Sequence, residues 1–138
     1  MTYFERQGFG ASIGEAFWAA YGEAKEQNDT TKADLHSTTN FETIANPVGV
    51  NPLKYAEWIK QAFDSLKTNA TEWEKKRYKL FVPQTRQKAV LGLAKKMMNE
   101  NKVLGLRLLG PAASAYRIKH GIKGKHGKVF LFIGVHPD

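Results

Sequence analysis

The chain has 138 residues, no cysteine, 42% hydrophobic and 25% charged residues, and a formal net charge of +8. Its composition is that of a folded protein, and a chain this long buries roughly 68% of its unfolded surface, so one domain spanning residues 1–138 is expected. Without cysteine, disulfides, thiolate nucleophiles and Cys-ligated zinc are excluded; without an apolar run near the ~20 residues that cross a bilayer, a cytoplasmic protein, or part of a particle assembled in the cytoplasm, is expected.

The net charge conceals a polarity. Residues 1–74 carry 6 Lys/Arg against 11 Asp/Glu, a balance of −5, whereas residues 75–138 carry 15 against 2, a balance of +13. An acidic helical half is thus followed by a basic helix-plus-hairpin half, and the latter calls for a polyanion or an acidic protein surface as partner. Opposite patches on one subunit also favour head-to-tail contacts between copies, which close into rings or continue as filaments.

The N-terminal "MTYFERQGFG" mixes both charge signs and lacks the apolar centre of a signal peptide. In "ASIGEAFWAAYGEAKEQN" Ser12 and Glu15 have capping-box spacing, and Ile13, Ala16, Phe17, Ala20, Tyr21 and Ala24 make one apolar stripe. This predicts a helix over about 13–27. Residues 28–50 read as a long polar connection with one helical turn around Phe41 to Ala45. Asn51 as cap and Pro52 at the first helical position start a second helix, with Tyr55, Trp58, Ile59, Ala62, Phe63 and Leu66 as its buried face. "TEWEKKRY" restarts it behind the Thr71–Glu74 pair, and "YKLFV" before Pro83 reads as a short strand.

A third helix is expected across "QTRQKAVLGLAKKMMNENK", burying Val90, Leu93, Ala94, Met97 and Met98 and leaving Arg86, Lys88, Lys95 and Lys96 off that stripe. After a break at Gly110-Pro111, "AYRIKH" and "KVFLFIGV" read as the strands of a hairpin whose tip is "KHGIKGKHGK". The second strand is apolar at consecutive positions, as a strand covered on both faces would be. Helices first and strands last predict an α+β fold: N-terminal helices followed by a C-terminal antiparallel hairpin or small sheet.

No convergent catalytic set emerges. "GASIG" (10–14) matches the G-x-S-x-G elbow, but no strand is expected before it, and capping already accounts for Ser12. Gly8, Gly10 and Gly14 echo a dinucleotide loop without its strand. His36, His120, His126 and His136 form no H-x-x-x-H or H-E-x-x-H pattern, so neither metal nor cofactor is implied. In the tip, glycines let backbone N–H groups approach a phosphate and lysines supply charge. "GIKG" and "GKHG" match the G-x-x-G loop of KH domains, yet that loop joins two helices and this one is expected between strands. The candidate contacts to nucleic acid or an acidic partner are Arg117, Lys119, Lys123, Lys125 and Lys128, with Arg86, Lys88, Lys95 and Lys96 on the preceding helix.

From "KLFVPQTRQKAVLGLAKKM" through "LRLLGPAASAYRIKHG" to "KVFLFIGV", the expected order of strand, helix, "YRI" strand and closing strand resembles the RelE-type ribonuclease toxins. That resemblance implies cleavage of ribosome-bound messenger RNA, with Tyr116, Arg117, Lys119 and Lys128 as its residues. It covers about sixty residues and leaves the acidic front half unaccounted for. The expectation preferred is a non-enzymatic structural or assembly subunit of a large complex, such as a phage head–tail connector or tail-completion protein. Its partners would be itself, other assembly subunits and nucleic acid. A RelE-like ribonuclease or another basic RNA- or DNA-binding protein is the alternative.

Overall fold

Strand β4 (Lys128–His136) is the most apolar segment of the chain, and it takes an inner place in a four-stranded sheet. A computed structural model describes residues 1–26, 40–124 and 126–136. Strands β1 (Thr2–Gly10) and β3 (Val103–Leu108) flank β4, both antiparallel to it, and β2 (Phe41–Thr43) runs parallel to β3 at the far edge. Successive strand residues face opposite sides. Val129, Leu131, Ile133 and Val135 therefore enter one core cluster, while Phe130 and Phe132 enter the other. The consecutive apolar run meets the requirement of a strand covered on both faces.

Helix α1 (Ile13–Glu26) covers one face, setting Ala16, Phe17 and Ala20 against Phe4, Val103, Phe130 and Phe132. Gly8 and Gly10 permit that approach: a Cβ on Gly8 would stand 2.1 Å from the Ala16 carbonyl oxygen, and one on Gly10 2.6 Å from the Ala16 nitrogen. The opposite face carries α2 (Pro52–Leu66), α3 (Glu72–Phe81), α4 (Gln84–Glu100) and α5 (Gly110–Lys119).

The expected caps are in place. Asn51 Oδ1 accepts from Leu53 N at 2.9 Å, and Thr71 with Glu74 closes a complete capping box at the start of α3. At α1, Ser12 Oγ accepts from Glu15 N at 3.3 Å while Glu15 Oε2 accepts from Ala11 N at 2.9 Å, one residue off the usual reciprocal pair.

The fold is α+β as expected, but its element order needs correcting. The chain opens with a nine-residue strand, not with a helix. Phe41–Thr43 is strand instead of helical turn, "YKLFV" closes α3 with Tyr78 buried, and "AYRIKH" lies in α5 and the turn after it. The expected C-terminal hairpin of "AYRIKH" and "KVFLFIGV" gives way to a small sheet, in which β3 pairs antiparallel with β4 and α5 lies in the connection between them. Residues 27–39 of the expected 28–50 connection lie outside the described residues. Among the described residues no helix is long and apolar enough to cross a membrane.

Candidate nucleic-acid interface

The glycines of "KHGIKGKHGK" recur every third residue because the backbone demands it. Gly121, Gly124 and Gly127 have φ of +64°, +92° and +89°, which side chains with a Cβ rarely adopt. Arg117 in α5 fastens the loop that they shape. Its Nη2 donates to Gly127 O at 2.8 Å and its Nη1 to Gly124 O at 3.4 Å, while the guanidinium lies 5.1 Å from the centroid of the Phe9 ring. Phe9 packs in turn on Gly127, where a Cβ would fall 2.3 Å from its Cζ. Arg117, expected to face a partner, is therefore engaged in holding loop, helix and strand β1 together.

Lys96 also departs from expectation. Its Nζ lies 2.9 Å from both carboxylate oxygens of Glu42, and Lys102 reaches the same group at 3.3 Å. The hydrogen bond from Lys96, and then that from Lys102, holds the Glu42 carboxyl below the usual glutamate range. Two further acids of the front half are likewise taken. Arg77 Nη2 meets Asp64 Oδ2 at 3.0 Å, and Lys67 bridges Asp64 at 3.5 Å and Glu74 at 3.1 Å. Part of the charge polarity is thus neutralised within the chain.

The rest is not. Among the described residues, Arg86, Lys88, Lys95, Lys119, Lys123 and Lys128 have no carboxylate within 4.0 Å. Lys88 and Lys95 stand exposed on α4, with Arg86 half-buried near its start, and Lys119, Lys123 and Lys128 are exposed around the α5–β4 connection. Lys125 lies outside the described residues.

Sequence periodicity missed a further exposed feature of the chain. Helix α3 buries only Tyr78 and turns Trp73, Leu80 and Phe81 outward at 57%, 61% and 57% exposure, interleaved with the exposed Lys75, Lys76 and Lys79. The signal was present in "EWEKKRYKLF", where Trp73 and Leu80, seven residues apart, share one face. Assigning "YKLFV" to a strand split that face in two.

Other motifs resolve by context. Strand β1 does precede "GASIG", contrary to expectation, but Ser12 Oγ serves as the helix cap. The glycine loop joins helix α5 to strand β4, so it has neither the KH context nor the hairpin one expected. "KLFV" lies at the end of α3 and its C-cap and "YRI" in α5, so the strand order behind the RelE resemblance is not adopted. Of that set, Tyr116 is buried and Arg117 is engaged internally, while Lys119 and Lys128 stay at the surface. Among the described residues no three histidines or carboxylates gather as a metal-holding group. No protein-family model, no curated protein and no solved structure matches this chain.

Proposed function

We propose that this chain is a non-catalytic subunit of a larger assembly that contacts nucleic acid through its basic rear half. The observation that carries the reading is the uncompensated charge: leaving aside Arg117, which is bound to loop carbonyls, six of the nine candidate cations have no carboxylate partner among the described residues, although Glu42, Asp64 and Glu74 are already paired. A phosphate backbone supplies the missing anions at regular spacing, and each contact releases condensed counterions. The α3 surface adds what an acidic protein would use less well. Exposed Trp73, with exposed Lys76 one turn further along the helix, offers a planar ring for an unpaired base next to a cation for its phosphate. The residual front-to-back polarity favours head-to-tail association of copies.

Fluorescence anisotropy with a labelled single-stranded RNA tests the first half of the reading. The double variant Lys88→Glu, Lys95→Glu should bind at least about tenfold more weakly at low salt, the order expected when two of several phosphate contacts are lost. Light scattering on the eluting protein tests the second: a multimer is expected, and a monomer with or without RNA would refute assembly. Multimers that bind no RNA would leave assembly standing and refute the nucleic-acid half of the reading.

A further inference from the structure

We propose that the cleft between α5 and the edge strand β1 is a subsite for one unpaired nucleobase, guanine in preference to the others. This rests on the nucleic-acid reading above and adds a base-selective pocket to its non-specific surface.

The open cleft offers about 250 Å³, room for a single planar heterocycle, and is lined by Glu5, Arg6, Gln7, Tyr116, Lys119 and His120 over Leu131. Strand alternation and register explain why these side chains meet. Glu5 and Gln7 are two apart on the β1 face that looks toward α5, and Gln7 is paired with Leu131 of β4, which forms the floor. Tyr116 and Lys119 lie in the last turn of α5 and His120 is its C-cap. Because β1 is an outer strand, the cleft opens at the side of the sheet.

Each wall offers a different interaction. The rings of Tyr116 and His120 are stacked, with centroids 4.0 Å apart and planes 22° apart; Tyr116 is the buried layer and His120 the exposed one. His120 Nδ1 lies 3.0 Å from the Tyr116 carbonyl oxygen, which can only accept, so this nitrogen carries a proton and the ring is held against rotation. A base entering the cleft extends a stack that is already built, an arrangement by which unpaired bases are commonly recognised.

The hydrogen-bonding wall is asymmetric in a way that selects among bases. Tyr3 donates its hydroxyl to Glu5 Oε1 at 2.6 Å, fixing the carboxylate while leaving Oε2 and a lone pair on Oε1. Burial, and next the charge of Glu5, push the Tyr3 hydroxyl well above the usual tyrosine range, so it remains a donor. A carboxylate only accepts, whereas the Gln7 amide can also donate. Guanine alone presents two adjacent donors, N1–H and the N2 amino group, next to an acceptor, O6. It satisfies Glu5 with two hydrogen bonds and Gln7 with one. Adenine and cytosine offer one amino group beside a ring acceptor that would face the carboxylate, and uracil offers a single N–H between two acceptors. Lys119, exposed at the rim, is placed for the phosphate that accompanies the base.

The test compares an oligouridine nonamer with the same nonamer carrying one central guanosine, by anisotropy at one low salt concentration. Both should bind, the guanosine-containing strand roughly tenfold more tightly. Glu5→Gln keeps the size of the side chain and an acceptor for Tyr3, and should abolish that preference, the two strands then binding alike. Gln7→Leu should reduce it in the same way. Equal binding of the two strands, or a preference that survives Glu5→Gln, would overturn the cleft while the basic surface stands. If neither strand binds, both readings fall.

Discussion

Replacing Arg117 with alanine removes two bonds to loop carbonyls and a cation–π contact at a half-buried position. The expected loss is about 1–2 kcal/mol of folding stability, read as a lower urea midpoint at unchanged slope. Affinity of the folded variant for RNA should change less than in the Lys88, Lys95 double variant, because the guanidinium faces inward. Two glycines give a sharper contrast. Gly8→Ala would press a Cβ into the Ala16 backbone, which cannot yield, and should cost about 2–3 kcal/mol. Gly92→Ala, in the middle of α4 with nothing within 4 Å of the new Cβ, should stabilise by about 0.5–1 kcal/mol. The glycine spacing in the doubled phrase was legible because backbone strain is local. The role of Arg117 was not, since Phe9, its ring partner, is at the other end of the chain.

Between elements, the caps carry measurable energy. Thr71→Ala and Asn51→Ala should each lower stability by about 1 kcal/mol through loss of a side-chain acceptor at a helix start. Trp73→Ala and Leu80→Ala, both more than half exposed, should leave stability within about 0.5 kcal/mol yet weaken RNA binding, Trp73 by about 1–3 kcal/mol where a base stacks on it. The tie from β2 to α4 and β3 is pH-dependent. The folded pKa of Glu42 is depressed by Lys96 and Lys102, so its stabilisation is complete above the unfolded value, near 4.3, and disappears as pH falls through the folded one. Thermal melts should accordingly find Glu42→Gln less stable than the parent at neutral pH, with the difference shrinking below about pH 4. Helices α1, α2 and α4 were legible from nearby signals: caps, Pro52 and the 3.6-residue stripe. β1 was not, because Gly8 and Gly10 imitate a turn while in fact making room for α1, and Glu5 and Gln7 break the apolar alternation on the face toward α5. In α5 the start signal Gly110-Pro111 and the stop at Gly121 were both in view. The aromatic and β-branched "AYRI" between them favoured a strand, and packing of Tyr116 in the core decided otherwise.

Across the whole molecule, both chain ends feed one sheet, and long-range pairing of β1 with β4 brings the acidic front against the basic rear. Charge polarity was visible in composition, but its partial cancellation required the fold: Glu42 is 54 residues from Lys96 in sequence and 2.9 Å away in space. What remains uncancelled is an electrostatic surface whose partner can be read from salt alone. Anisotropy with one single-stranded RNA across a salt series gives that reading directly. Six cations engaging phosphates predict a log–log slope of affinity against salt of about −4. A slope near zero, or no binding at low salt, would contradict a nucleic-acid role for the basic half.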